Sequence, residues 1–250
     1  MITIIRMAGP ILAWPSPSKY RYRQTEAAPT LSSIQGILAA AAGITREQVR
    51  PDWIQNIQLA IRLDKPGSVL RDFHTINPAN KSIYRQLSPR DRSKVRIVAK
   101  AGGTEHTVPV ITERYYRQDQ VILGFINDPD GVIFDTLTAP RFAFYAGRKA
   151  CVMSFPFVLG RMMCGLEHAV ETTPSAIQTD GSFEAILFFP PKQLQKYREP
   201  VLRPERPAGQ VAEQYLMQER HSVLVNPPRL SSWWDVMSEL MTGGDNHVAV

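Results

Sequence analysis

The chain has 250 residues, 44% hydrophobic and 21% charged, ordinary proportions for a globular protein able to bury a core as one large domain or two small ones. Its formal net charge of +6 favours a polyanionic partner. Its two cysteines, Cys151 and Cys164, lie in no CxxC pair and have no matching histidine pair, which argues against zinc, and with no signal peptide or membrane-length apolar run the chain is expected to be soluble, cytoplasmic and in a reducing compartment.

Residues 2–7 read as a strand, being mostly apolar and β-branched with one charge at Arg6. Ala8-Gly9-Pro10 punctuates it, and residues 11–14 lead into a loop, 15–29, in which Lys19, Arg21 and Arg23 alternate with Tyr20 and Tyr22. Cations meet phosphates and flat rings stack on bases, so this loop has the chemistry of a single-strand nucleic-acid binder; a solvated connector has the same composition. Thr30 or Ser32 can cap a helix whose apolar positions Ile34, Ile37, Leu38 and Ala41 follow helical spacing, and Gly43 suits a left-handed C-terminal cap.

Residues 44–49 begin a second short element. The alternation in residues 53–64 predicts a strand, Lys65-Pro66-Gly67 a turn, and residues 69–75 a second strand paired with the first as a hairpin. Strand, helix, strand, strand suits an α+β sandwich of the ferredoxin-like kind, whose sheet has an open face. Lys81, Arg85, Arg90, Arg92, Lys94, Arg96 and Lys100 then make the most basic stretch, opposed only by Asp91. Residues 94–100 and 107–112 read as two arms of a hairpin closed by Gly102-Gly103. Residues 120–125 are a buried strand, Asn127-Asp128-Pro129-Asp130-Gly131 a turn, and residues 132–137 a short helix or a continuing strand ended by Pro140. After the aromatic stretch 141–146, Gly147-Arg148-Lys149 could let a phosphate approach backbone amides and side chains together. Residues 182–189 and 222–225 are expected strands, 192–206 a proline-bearing basic linker, and 231–240 a capped amphipathic helix with Trp233, Trp234 and Met237 packing on one face.

The ordered set MAGPILAW, PT-x-SS-x-x-G-I-L-A-A, RDFHT, R-x-Y-x-x-D and PRFAFYAGRKAC resembles the CasD family, the 5′-handle-binding subunits of the type I-E CRISPR surveillance complex (Cascade). The resemblance spans residues 2–160. It implies an RRM-related, ferredoxin-like fold of the repeat-associated mysterious protein (RAMP) type over residues 1–160. A thumb hairpin would be inserted at about 78–113, and residues 161–250 would form a β-rich extension packed on the domain. It also implies a non-catalytic role in antiviral DNA targeting: capping the 5′ handle of the CRISPR RNA (crRNA) beside the backbone subunits and the large PAM-recognising subunit. Target DNA would be engaged through the complex, with no cofactor and no metal.

On this reading Arg21, Arg23, Arg148 and Lys149 hold handle phosphates with Lys19 assisting. Gly147 opens the backbone to them, and Trp14, Tyr20 and Tyr145 are stacking candidates. Thr30, Ser32 and Ser33 sit at a helix N-terminus, where free amides can bind phosphate or the side chains can simply cap. Thumb cations Arg85, Arg90, Arg92, Lys94 and Arg96 clamp the RNA; Arg114 and Tyr116, with Asp119, brace the thumb's base. Relatives often carry cations where this chain has Ala27 and Leu31, so at least one phosphate contact is lost or is taken over by Lys19, Arg21 or Arg23. The alternative is a metal-independent endoribonuclease. Its base would be a histidine, with His74 assembled beside Lys81 and Tyr84 the best placed of His74, His106, His168, His221 and His247; on the non-catalytic reading His74 is instead a structural or RNA-contacting residue.

Overall fold

The computed structural model describes residues 1–14, 16, 21–45, 47–76, 97–99, 105–107, 110–177, 183–188, 201–205 and 216–227. The fold is mixed α and β, built on a nine-stranded sheet. Its centre is β1 (Ile2–Leu12) paired antiparallel with the 18-residue β7 (Val110–Asn127), from Ile2 opposite Asn127 to Leu12 opposite Arg117. Both faces of β1 are apolar: Ile5 and Met7 enter one core, Ile2 and Ile4 the other, as expected of a strand covered on both sides. The strand outlasts its expected end at Met7. Pairing steps over Pro10, which brings no N–H, and resumes at Ile11.

Helix α1 (Leu31–Ala41) follows its sequence signals closely. Thr30 is the N-cap, its hydroxyl accepting from the Ser33 N–H at 3.2 Å. At the other end Gly43 (φ +76°) donates to the Ala40 carbonyl and Ile44 to that of Ala39, which is the Schellman arrangement. The next segment differs from expectation. Among the described residues of 44–49 none is helical, and Thr45 and Gln48 close a turn on each other ahead of the short element. Pro51 caps a single helical turn, α2 (Asp52–Gln55), that puts Ile54 in the core, so the strand β3 starts only at Leu59 (Leu59–Lys65).

The larger correction concerns β4 (Ser68–Ile76). It does not fold back on β3; both lie antiparallel along the same edge of β7, Lys65 opposite Val121 and Ser68 opposite Gln118. Lys65-Pro66-Gly67 is a break in one long strand path rather than a hairpin turn. Gly67 (φ +66°) permits it, and a Cβ there would lie 2.5 Å from the Gln118 carbonyl oxygen. Gly67→Ala is therefore expected to cost more than about 1 kcal/mol in urea unfolding; an unchanged midpoint would sink this account of the break.

Short β2 (Tyr22–Arg23) runs parallel to the start of β7 on its other side. Beyond a separate antiparallel pair, β5 (Ile97–Ala99) with β6 (Glu105–Thr107), the basic residues Lys81 to Arg96 and Lys100 lie outside the described residues. Asp128 closes the turn after β7: its carboxylate accepts the N–H groups of Ile133 and Phe134, starting α3 (Val132–Thr138), and the Thr3 hydroxyl at 2.8 Å. Residues 132–137 are thus helical. β8 (Val158–Met162) pairs with β1, and α4 (Leu166–Thr172) covers the second core. β9 (Phe183–Phe188) joins β3, followed by β11 (Leu216–Val225) and β10 (Val201–Glu205). β10 lies inside the expected linker, and the expected helix at 231–240 falls outside the described residues. The strand path is β10-β11-β9-β3-β7-β1-β8. Among the described residues no helix is long and apolar enough to cross a membrane.

Candidate nucleic-acid interface

Beyond the helices, the first half of β7 carries β4 on one edge and β2 on the other, a three-stranded arm. Directly paired residues share a face and neighbours along a strand alternate, so the register alone sorts the side chains. One face holds Leu70, Asp72 and His74 from β4, Thr112, Arg114 and Tyr116 from β7, and Arg23 from β2. Arg23, Arg114 and Asp72 form one row across the three strands, and Thr112 with His74 the next.

This face is cationic and incompletely satisfied. Buried Arg114 Nε and Thr112 Oγ1 have no hydrogen-bond partner among the described residues. His74 Nε2 pairs with the Asp72 carboxylate. Arg21 and Arg23 are exposed, as is Lys149. The exposed cations Arg21, Arg23 and Lys149 on an extended surface are what an incoming phosphate would meet; Arg114 Nε is itself closed to it.

Arg148 has a different place from the one expected. Its guanidinium lies 4.7 Å from the Tyr116 ring centroid and donates to the carbonyls of Tyr115 (3.1 Å) and Arg23 (3.0 Å). It stitches β2 to β7, and so orients Arg23, with less donor capacity left for phosphate. Gly147 (φ +82°) makes the tight turn that delivers it, and Tyr145 is half-buried behind that turn. Tyr116, beneath the guanidinium, is itself buried.

Trp14 requires a correction. It is 1% exposed, in the first core, and its Nε1–H donates to Gln120 Oε1 at 2.8 Å; it presents no ring for stacking. Gln120 in turn donates to the Ala27 and Pro66 carbonyls, so this pair anchors the far end of the Arg21–Arg23 loop. Thr30, Ser32 and Ser33 bond one another at 3.0 and 2.7 Å while Thr30 caps α1, so the capping role accounts for them. Asp119 forms an ion pair with Lys65 across the strand break. Lys19, Tyr20, Arg85, Arg90, Arg92, Lys94 and Arg96 lie outside the described residues, as do Lys81 and Tyr84. Among the described residues no cluster of His, Cys, Asp or Glu could hold a metal ion.

The opposite face of the arm was missed by sequence reading. Tyr22, Glu113 and Phe73 form one row, with Arg71, Tyr115 and Arg117 beside it. Glu113 accepts from Arg71 (2.7 Å) and from the Tyr115 hydroxyl (2.8 Å). The Arg71 bond first, then that of Tyr115, holds the Glu113 carboxyl below its ordinary range, and the same contacts raise Arg71 and Tyr115. A depressed carboxyl contributes stability above the unfolded-state value and loses it as pH falls through the folded one. Acid destabilisation below roughly pH 4 is therefore expected to be shallower in Glu113→Gln than in wild type when Tm is followed from pH 7 to 3. Parallel curves would contradict it. The alternation in residues 69–75 and 111–117 was the available signal, but only pairing to β7 brings Tyr22 to the same row.

A family model described as CRISPR-associated protein (Cas_Cas5) matches residues 3–213. The CRISPR system Cascade subunit CasD of Escherichia coli (strain K12) is 26% identical over 175 residues, covering 63% of this chain and 69% of the relative. A solved chain of a CRISPR RNA-guided surveillance complex superposes with a TM-score of 0.70 at 24% identity, over 97% of this chain and 98% of that one. A crystal structure of a Cas protein gives 0.65 at 22% identity, over 93% and 100%. At those identities both structures are evidence of a shared fold.

Proposed function

Since the chain belongs to the Cas5 family of CRISPR-associated proteins, we propose that it is a non-catalytic, cytoplasmic crRNA-binding subunit of a type I-E Cascade complex. It caps the 5′ handle of the guide RNA and contacts the backbone and large subunits, reaching target DNA through the assembly. The observation that carries this reading is the cationic face of the β2-β7-β4 arm, where Arg114 lies in a row with exposed Arg23. The similarity to the E. coli Cascade subunit supports the assignment to that complex.

The finer fold reading has support as well. β1, α1, β3, β7, α3 and β8 follow one another in the chain, and their strands lie in the order β8-β1-β7-β3, which is the ferredoxin-like arrangement. We read the β5–β6 pair as part of the thumb, inserted between β4 and β7, and residues 161–250 as the extension packed on the domain.

The test is co-expression with a CRISPR array and the neighbouring genes, purification on this chain, and sequencing of the bound RNA. Uniform guides sharing one 5′ handle are expected. The triple variant Arg21→Glu, Arg23→Glu, Lys149→Glu is expected to lose at least tenfold of that RNA, because each reversal replaces a phosphate contact with a repulsion. Arg148 is left in place because its loss would loosen β2. Heterogeneous cellular RNA in the wild-type preparation would refute the capping role.

One observation favours the endoribonuclease reading: the Asp72–His74 pair beside Arg114 gives an oriented imidazole next to a cation. Metal-independent cleavage of repeat RNA by the purified chain, abolished by His74→Ala, would establish it in place of the non-catalytic role.

A further inference from the structure

The second face of the arm carries two exposed aromatic rings where a soluble chain has no folding reason to place them. Tyr22 is 55% exposed and Phe73 54%, and they stand on the outer strands of the arm, each paired to Glu113 on the strand between them. The outer strands are two inter-strand spacings apart, roughly 9.5 Å, so the two side chains must lean towards each other to hold one flat ring between them. The floor of this slot is polar: the Glu113 carboxylate, its side chain 11% exposed and ion-paired with Arg71. Glu113 uses one acceptor position for Arg71 and one for Tyr115 of about four that a carboxylate offers. Arg71 also reaches over Phe73, 6.0 Å from its centroid.

We propose that this slot takes a single unstacked nucleobase of the bound RNA, stacked on Tyr22 and Phe73 and read by Glu113. The inference rests on the crRNA-binding reading and extends it from the phosphate-facing side of the arm to the opposite side. Val69 and Ile111 are also exposed on this face and extend it with apolar groups. Two observations favour a base over a protein partner. The cations Arg71 and Arg117 share the face with the rings. The slot also lies on the same three strands as the cationic row, so one strand of RNA crossing the arm's end reaches both. A carboxylate floor favours a base with adjacent N–H donors; guanine presents two on its Watson–Crick edge, and uracil only one flanked by acceptors.

The experiment measures affinity of the full chain for single-stranded RNA of handle length, with each position in turn set to guanine or uracil, by fluorescence anisotropy across a salt series. Phe73→Leu and Tyr22→Leu keep the apolar bulk and remove the π face. Each is expected to weaken binding about 5- to 100-fold with the salt slope unchanged, whereas Phe73→Trp restores it. Guanine is expected to bind more tightly than uracil at one position, a difference that Glu113→Gln erases. In contrast, Arg23→Glu should reduce the salt slope. If the leucine variants bind RNA like wild type but fail to co-purify with partner subunits, the face is a protein-docking surface and the proposal is overturned. Equal affinity for guanine and uracil at every position would overturn it too. Failure of the wild type to bind any RNA would instead remove the crRNA reading on which the slot depends.

Discussion

Replacing Arg62 with methionine is expected to lower the unfolding free energy by about 3–5 kcal/mol, the range for breaking a buried ion pair by removing one partner. For a chain of this size that is a fall in Tm of roughly 6–20 °C. Arg62 and Asp64 are both fully buried on β3. All five N–H donors of the guanidinium are used. Two go to the Asp64 carboxylate, at 2.7 and 3.0 Å, and three to the carbonyls of Val170, Thr173 and Pro174, which end α4. Its charge also faces the rings of Phe125 and Phe183. Methionine fills the space, but among the described residues it leaves the buried carboxylate with the Ala176 N–H alone, and it takes the guanidinium donors from three carbonyls. Removing both charges, as Arg62→Met with Asp64→Leu, is expected to be less damaging than Arg62→Met alone, since no buried charge is then left unpaired. Urea denaturation of the two variants decides this, and a double variant less stable than the single would sink the explanation.

Trp14→Ala is expected to cost a similar amount, about 3–5 kcal/mol, from the cavity left by a large side chain. The loss of the indole also leaves the buried Gln120 oxygen unmatched. Phe73→Ala, which removes another aromatic ring, is expected to stay within about 0.5 kcal/mol of wild type because that ring is solvent-exposed. The two substitutions separate stability from binding: the first acts through the fold, the second through whatever occupies the arm. Thermal unfolding of both variants side by side checks it. A destabilisation by Phe73→Ala as large as that of Trp14→Ala would mean that the arm's aromatic face is part of the core.

Elements whose cause is local were legible in the residues themselves. β1 is an apolar run, α1 is announced by the Thr30 cap, its 3.6-residue spacing and Gly43, and the Asn127–Gly131 turn is written in its residue types. The cationic character of the 21–23 loop was equally plain, since charge is a property of composition, and the ordered motifs pointed to the family that residues 3–213 match. What depends on distant partners was set by the three-dimensional packing. Lys65-Pro66-Gly67 reads the same whether two strands fold on each other or continue along a third, and the 18-residue edge of β7 chose the second. That choice sends β4 onto the arm and thereby places Phe73 in line with Tyr22 and Arg114 in line with Arg23. Trp14 and Arg148 look like ligand-binding residues by type. Their roles were set by Gln120, 106 positions away in the chain, and by the Arg23 carbonyl, 125 away. Periodicity and capping are local energies that a short window contains. Strand register and the partner of a buried polar group are settled by contacts no window spans, and in this protein those contacts build the candidate site.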